Sequence, residues 1–352
     1  MRFQKIFLLF SIFLFAASAS MAQEKPQPTP SPSPSPSPEI VVEDDEPLKV
    51  DADLVNITFT AADKERRFVT NLTKDDVKIF EDGQPQQIFT FEKQISLPLS
   101  LAILIDTSAS QERTLPEEKR AALSFLENVV RAGKDEVAIL SFTGETTLEQ
   151  SLTGNMARLR RAVENVEFVA PSGYIGGGVT VGTPPISGRS QAIAGSTAVW
   201  DALWVTSDEV LRDAPQGTRR AIVLVSDGVN TFGSKRLDDA VQQALKADAI
   251  IYCVGIGDNF YDGVDKGSLS KIAERTGGRA YFPRDERDLQ KAFDQIQDDL
   301  RSQYLIAYAP SNEKKDGSYR KIEIQIANPV IEKQKVKLVH RQGYFAKTEN
   351  KK

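Results

Sequence analysis

The sequence predicts an α/β protein: a doubly wound, mostly parallel sheet, flanked by a small β-sandwich-like domain built from N- and C-terminal segments. Three observations predict it. Between residues 97 and 303, short apolar runs such as Leu101–Ile105, Ala221–Val225 and Ile250–Val254 alternate with amphipathic stretches. That alternation is the pattern of parallel strands covered by helices on both faces. On either side of this block, apolar and polar residues alternate with a period of two, at Val55, Ile57 and Phe59 and again at Ile322, Ile324 and Ile326, which marks half-buried strands. Each flanking β segment is too small for a secure core of its own. They are therefore expected to pair, with the α/β block inserted between them; two independent hairpins are the alternative.

Taken in order, residues 1–22 have the features of a signal peptide. Arg2 and Lys5 precede an apolar run from Ile6 to Ala19, and Ser20-Met21-Ala22 offers small residues for cleavage. The run has 14 residues, short of the ~20 a spanning helix needs. An exported chain with no membrane span after processing is expected, secreted, periplasmic or envelope-associated; an uncleaved anchor is the alternative. Residues 23–47 form a Pro/Ser-rich acidic linker, extended because it has little apolar surface to bury. Residues 48–96 are a β segment, with Val77 and Ile79 opening a strand, Asp82-Gly83 as a hairpin turn and Ile88–Phe91 as the returning strand.

Within 97–303, helices are expected over Leu115–Arg131, with Pro116 in the first turn, and over Asn155–Val166, Thr197–Arg212, Leu237–Ala247, Leu269–Arg275 and Leu289–Arg301. The strands between them are Leu101–Ile105, Val137–Phe142, Ala221–Val225, Ile250–Val254 and Arg279–Phe282. Residues 304–346 return to β structure through Tyr304–Tyr308, the Ile322–Ile326 alternation and Val336–Val339, and 347–352 are a tail.

The composition narrows the function. In 352 residues, 40% are hydrophobic, enough for one large core and a smaller one. A net charge of −5 without a long basic run gives no electrostatic reason to bind nucleic acid or anionic lipid. Cys253 is the only cysteine and lies in an apolar run, so no internal disulfide forms and a small buried hydrophobe is expected. His340 is the only histidine, which excludes a multi-histidine metal site and most histidine-based catalysis.

The chemistry concentrates at strand ends, where sheets of this kind place their sites. The strand Leu101–Ile105 runs into Asp106-Thr107-Ser108-Ala109-Ser110. A carboxylate and two hydroxyls at alternate positions of a turning loop can converge on one point, and such oxygens suit a hard divalent cation such as Mg²⁺. Serine and aspartate also cap helices, so this motif alone is moderately specific. Two further pieces follow in order. Gly195-Ser196-Thr197 opens a helix after a loop, and Ala221–Val225 ends in Ser226-Asp227-Gly228.

These three pieces resemble the metal-ion-dependent adhesion site of von Willebrand factor type A domains, over roughly Leu97 to Ser302. The resemblance implies a Rossmann-like fold, direct metal contacts from Ser108, Ser110 and Thr197, and contacts mostly through water from Asp106 and Asp227. Ala109 stands where glycine is frequent in the family. The flanks Leu72-Thr73-Lys74-Asp75-Asp76-Val77, Gln303–Pro310 and Arg341-Gln342-Gly343-Tyr344 are similar to exported proteins of acidobacterial type that carry this domain.

What the resemblance implies is adhesion rather than catalysis. Mg²⁺ is the expected ion, with Mn²⁺ or Ca²⁺ as alternatives, and an Asp or Glu carboxylate of a protein partner completes its coordination. The glycine-rich loop 170–195 leads to Thr197 and is expected to rim the site; a solvated insertion with no role is the alternative. Gly255-Ile256-Gly257 lacks the third glycine of a dinucleotide turn, since position 260 is Phe, and reads as a tight turn. A hydrolase or phosphatase is the less favoured alternative: no Gly-x-Ser-x-Gly is present, and position 108 is Ser where an aspartyl phosphatase would need Asp. An envelope assembly role with a loop-stabilising metal is the other. The oligomeric state and the partner's identity are left open.

Overall fold

The computed structural model describes residues 54–65, 67–93, 97–170, 196–215, 217–257 and 263–348. The signal segment, the linker and residues 171–195 of the glycine-rich loop lie outside the described residues. Four N-terminal strands come first: β1 (Val55–Ala62), β2 (Val77–Glu81), β3 (Gln84–Gln86) and β4 (Ile88–Lys93). The α/β block follows as β5 (Leu99–Asp106), α1 (Leu115–Val129), β6 (Glu136–Phe142), β7 (Thr146–Thr153), α2 (Met156–Asn165), α3 (Val199–Val205), β8 (Arg219–Ser226), α4 (Leu237–Lys246), β9 (Ala249–Gly255), α5 (Lys266–Thr276), β10 (Ala280–Tyr281) and α6 (Glu286–Arg301). Strands β11 (Tyr304–Tyr308), β12 (Tyr319–Ile326), β13 (Lys337–His340) and β14 (Gly343–Phe345) complete the described chain.

The central sheet has the order β10-β9-β8-β5-β6-β7. All its pairings are parallel except β6 with β7. Every residue of β5 is buried, as a strand covered on both faces must be. Two separate apolar clusters lie against the sheet. One joins Ile103, Ile105, Val223 and Val225 to α1, α2 and α6, and the other joins Ala102, Leu104, Ile222 and Leu224 to α3, α4 and α5. Consecutive residues of one strand thus serve opposite layers, as period-two side-chain alternation requires. Cys253 is fully buried in the second cluster, the small-hydrophobe role expected for it, and burial pushes its thiol well above the ordinary range.

Three elements differ from the sequence expectation. Strand β7 was not foreseen: its residues are Thr-Thr-Leu-Glu-Gln-Ser-Leu-Thr, with none fully buried, because it is an edge strand bonded only to β6. The helix expected over Thr197–Arg212 starts at Val199 and turns π-helical over Thr206–Val210. There the Thr206 and Ser207 hydroxyls donate to the carbonyls of Ala202 and Leu203, the side-chain competition that distorts helices. The Asp82-Gly83 turn is present, with both residues at positive φ, but it joins β2 to the short β3. The segment expected to return instead forms β4, which pairs with β11 in another sheet. Its Ile88 enters the same apolar cluster as β2's Val77 and Ile79 from the other side.

Outside the α/β block are two four-stranded antiparallel sheets, β13-β1-β11-β4 and β14-β12-β2-β3. Each draws strands from both ends of the chain, so the N- and C-terminal segments pair with each other rather than forming independent hairpins. Ile57, Phe59, Ile306 and Tyr308 of one sheet and Val77, Ile79, Ile322 and Ile324 of the other share one apolar cluster. Inside it sits a charged pair: Arg320 Nη1 donates to Glu81 Oε1 at 3.1 Å. The Tyr308 and Tyr344 hydroxyls donate to Glu81 Oε2 at 2.7 and 2.8 Å. Both charged side chains are 2% exposed, and the extra hydrogen bonds are what make such a buried pair tolerable.

Candidate metal-binding site

The site is assembled at the carboxyl ends of the adjacent strands β5 and β8. Asp106 is the last residue of β5 and is fully buried. The chain then turns, Thr107 N donating to the Phe142 carbonyl at 2.9 Å. The turn brings Ser108 N to Asp106 Oδ1 at 2.9 Å and leaves the Ser108 and Ser110 hydroxyls 3.2 Å apart. Asp227 directly follows β8; its Oδ1 accepts from Val229 N at 2.8 Å, and the Ser110 hydroxyl nearby favours its charged form. Four of the five expected residues, Asp106, Ser108, Ser110 and Asp227, therefore lie in one linked group.

Thr197 joins through the backbone. Its carbonyl accepts from Thr231 N and Phe232 N, and its own N–H donates to the Thr231 hydroxyl at 2.8 Å. The following Ala198 N donates to the Thr143 carbonyl, just past β6. Thr197 is thus held between the loop after Asp227 and the end of the strand next to β5. The loop expected to rim the site lies outside the described residues.

The electrostatics are unusual for an interior. Burial, then the Asp227 carboxylate, push Asp106 up to about 7. Burial also raises Asp227 above its ordinary value. Among the described residues, neither forms an ion pair with a lysine or arginine. Two buried carboxylates without a cation are costly, and a bound divalent cation removes that cost. The set fits a hard cation in kind, being all oxygen, with no thiol or imidazole in it. It contains only two carboxylates and depends on hydroxyls for the rest; among the described residues no group of three or more His, Cys, Asp or Glu is placed to hold a metal.

Several supporting residues were not singled out from the sequence. The Ser226 hydroxyl donates to Asp106 Oδ2 and accepts from Gly228 N. Gln111, fully buried, donates from Nε2 to the Ser110 hydroxyl at 3.2 Å and to the Ile256 carbonyl at 3.0 Å. Glu118 on α1 is 1% exposed, and its two oxygens have no hydrogen-bond partner, the nearby Thr114 hydroxyl donating to Gln111 instead. Burial first, with the Asp106 and Asp227 charges adding to it, pushes Glu118 up to about 8. Ser226 was legible as a hydroxyl at a strand end; nothing in local sequence marks Glu118, because its neighbours come from other strands.

Gly255-Ile256-Gly257 is a packing feature. A Cβ at Gly255 would lie 2.6 Å from the Phe282 ring and 2.9 Å from Val264, so the glycine admits two side chains and not a phosphate. His340 lies in β13, with Nδ1 against the Arg341 carbonyl and Nε2 facing Ile324 N.

Family models of the von Willebrand factor type A domain match residues 101–230 and 186–295. Among solved structures, the chain is similar to proximal thread matrix protein 1 from the mussel byssus, at 17% identity and a TM-score of 0.44 over 62% of this chain and 49% of that one. The chain thus spans about half the length of the mussel protein, which has also been solved with a zinc-occupied MIDAS motif. An aerotolerance-related membrane protein from Bacteroides fragilis matches at 15% identity and a TM-score of 0.41, over 58% of this chain and 99% of that one. BatB from Bacteroides thetaiotaomicron matches at 16% and 0.42, over 58% and 98%. No curated protein matches the chain.

Proposed function

Since this chain belongs to the von Willebrand factor type A domain proteins, whose adhesion sites bind divalent cations and protein ligands, we propose that it is an exported, cation-dependent adhesion module that catalyses no reaction. The observation that carries the proposal is the pair Asp106 and Asp227, two buried carboxylates at neighbouring strand ends with no basic partner among the described residues, beside the hydroxyls of Ser108 and Ser110. Ser108, Ser110 and Thr197 hold the ion directly, and Asp106 and Asp227 act mostly through water. Mg²⁺ is the proposed ion, with Mn²⁺ or Ca²⁺ as substitutes.

When bound, the cation supplies a Lewis-acidic position for an oxygen from outside. Two carboxylates and neutral hydroxyls leave its charge incompletely balanced, which favours an anionic ligand. An Asp or Glu side chain of a partner protein meets that need. Asp106, tied to Ser108 N and to the Ser226 hydroxyl, fixes the floor of the site. Gln111 orients the Ser110 hydroxyl. The absence of catalysis is supported by the position of the sole histidine in β13, hydrogen-bonded within the β sheets, which leaves Ser108 without a histidine base. The two outer sheets are read as a β-sandwich-like support, on the strength of their shared apolar cluster. The leading 22 residues carry the proposal of export. Among the described residues, no helix is long and apolar enough to cross a membrane.

The test is partner capture by the purified chain in Mg²⁺, repeated with EDTA and with Asp106→Ala. Capture that needs Mg²⁺ and Asp106 is expected. Capture that survives EDTA removes adhesion through the metal and favours contacts made by the outer sheets.

A further inference from the structure

At the opposite pole of the central sheet, where β8 and β9 begin, lies a partly open cavity of about 180 Å³. The eight residues of β8 put it on the order of 20 Å from the candidate metal site. Its walls come from the starts of β8 and β9 and from the outer strands β1 and β11. Two consecutive arginines, Arg219 and Arg220, line it together with the hydroxyls of Thr58 and Thr218 and the amide of Asn56.

Neither arginine is neutralised. Arg219 Nη1 donates to the Leu300 carbonyl and to Gln303 Oε1. Arg220 donates to the carbonyls of Ala247 and Ala214, both at 3.2 Å. All four acceptors are neutral, and among the described residues no carboxylate pairs with either guanidinium. The buried Nε atoms of Arg219 and Arg220 have no hydrogen-bond partner among the described residues. The one carboxylate in the cavity wall, Asp248, is already paired with Arg341, and nearby Asp135 is taken by Arg131. Burial, and then the Arg131 charge, lower Arg219 to about 10, the sign of a cation confined without a counter-charge. Successive strand residues point to opposite faces, so the two side chains reach round the sheet end from its two sides and both border the same space.

A guanidinium presents its N–H groups in a planar fork that matches the oxygens of a phosphate or sulfate. We propose that the Arg219–Arg220 cavity binds a small oxyanion of the phosphate or sulfate kind, independently of the divalent cation. The volume suits a compact ion or a single esterified phosphate group. Arg219, Arg220 and Thr218 supply the donors, and the site sits where the α/β block meets the strands β1 and β11.

The experiment is thermal unfolding and isothermal titration of the full chain with inorganic phosphate, in EDTA and at ionic strength held constant with chloride. A saturable rise in the unfolding midpoint is expected, about 3 °C when phosphate exceeds its dissociation constant tenfold. Arg220→Gln abolishes it. Arg220→Lys, which keeps the charge but loses the fork, weakens binding by roughly tenfold and serves where Arg220→Gln does not fold. Asp106→Ala leaves it unchanged, which separates this site from the metal. An arm with glycerol 3-phosphate assigns the source: equal affinity points to a phosphate ester, and much weaker affinity to the free ion. A linear, unsaturable rise that is the same in wild type and both Arg220 variants is the general salt effect on surfaces and overturns the proposal.

Discussion

The Ser226 hydroxyl donates to Asp106 Oδ2 at 2.6 Å, tying the end of β8 to the end of β5. The same oxygen accepts from Gly228 N at 3.0 Å. One hydroxyl therefore fixes both the carboxylate on the site floor and the turn that carries Asp227. Ser226→Ala leaves a fully buried carboxylate oxygen short of its donor. It is expected to lower stability by about 1–3 kcal/mol and to weaken cation affinity by roughly tenfold or more. Urea unfolding in EDTA and Mg²⁺ titration read the two effects; an unchanged affinity would show that Asp106 takes no part in holding the ion.

The pH dependence has a defined sign. Asp106 is raised to about 7 and Glu118 to about 8, from ordinary values of 3.8 and 4.5. For both, the folded state favours the protonated form. Their contribution is fully present below the unfolded values and is lost as pH rises through the folded ones. Without metal, stability is expected to fall between about pH 4 and 8. Mg²⁺ favours the ionised form of Asp106 and reverses the trend near neutrality. Melting temperature against pH, with and without Mg²⁺, is the measurement, and a metal-free curve that rises across this window contradicts the assignment.

Glu118→Gln separates the buried acid from the site. It keeps the shape, removes the ionisable group and is expected to flatten the upper part of the metal-free curve. A gain of about 1 kcal/mol or more at pH 8 follows from a shift this large. Equal unfolding energies for wild type and variant at pH 8 would mean that Glu118 reaches solvent.

In the outer sheets, Glu81→Ala strips Arg320 of the one carboxylate that pairs with it among the described residues and leaves a cation 2% exposed. Breaking a buried pair from one side costs about 3–5 kcal/mol. Denaturant unfolding should show this loss, while cation affinity in the folded variant stays within twofold of wild type. A parallel loss of cation affinity would mean that the two regions are coupled.

Gly255→Ala places a methyl group 2.6 Å from the Phe282 ring. Overpacking of this kind costs about 1–3 kcal/mol. A melting temperature equal to wild type would show that Phe282 moves freely, against the close packing seen at the end of β9.

The pattern of elements was legible because its signals are local. The apolar runs Leu101–Ile105 and Ala221–Val225 read as strands buried on both faces, and the residues that follow them put Asp106, Ser108, Ser110 and Asp227 at strand ends. Strand β7 was not legible, since an edge strand exposes polar residues and looks like a loop. The partner of β2 was misassigned for a related reason: Ile88 is apolar in either sheet, and only the choice of neighbour distinguishes them.

The sequence by itself determined that this is an alternating α/β chain with oxygen-bearing side chains at two strand ends, because hydrophobic period and residue type are properties of neighbours along the chain. Tertiary structure decided which residues share a space. It joined Ser226 to Asp106, set Glu118 near the site without a hydrogen-bond partner, and left Arg219 and Arg220 facing a cavity whose one carboxylate, Asp248, is paired with Arg341. Those relationships depend on burial and on distances between segments far apart in sequence, where the low dielectric of the interior gives each unpaired charge its cost.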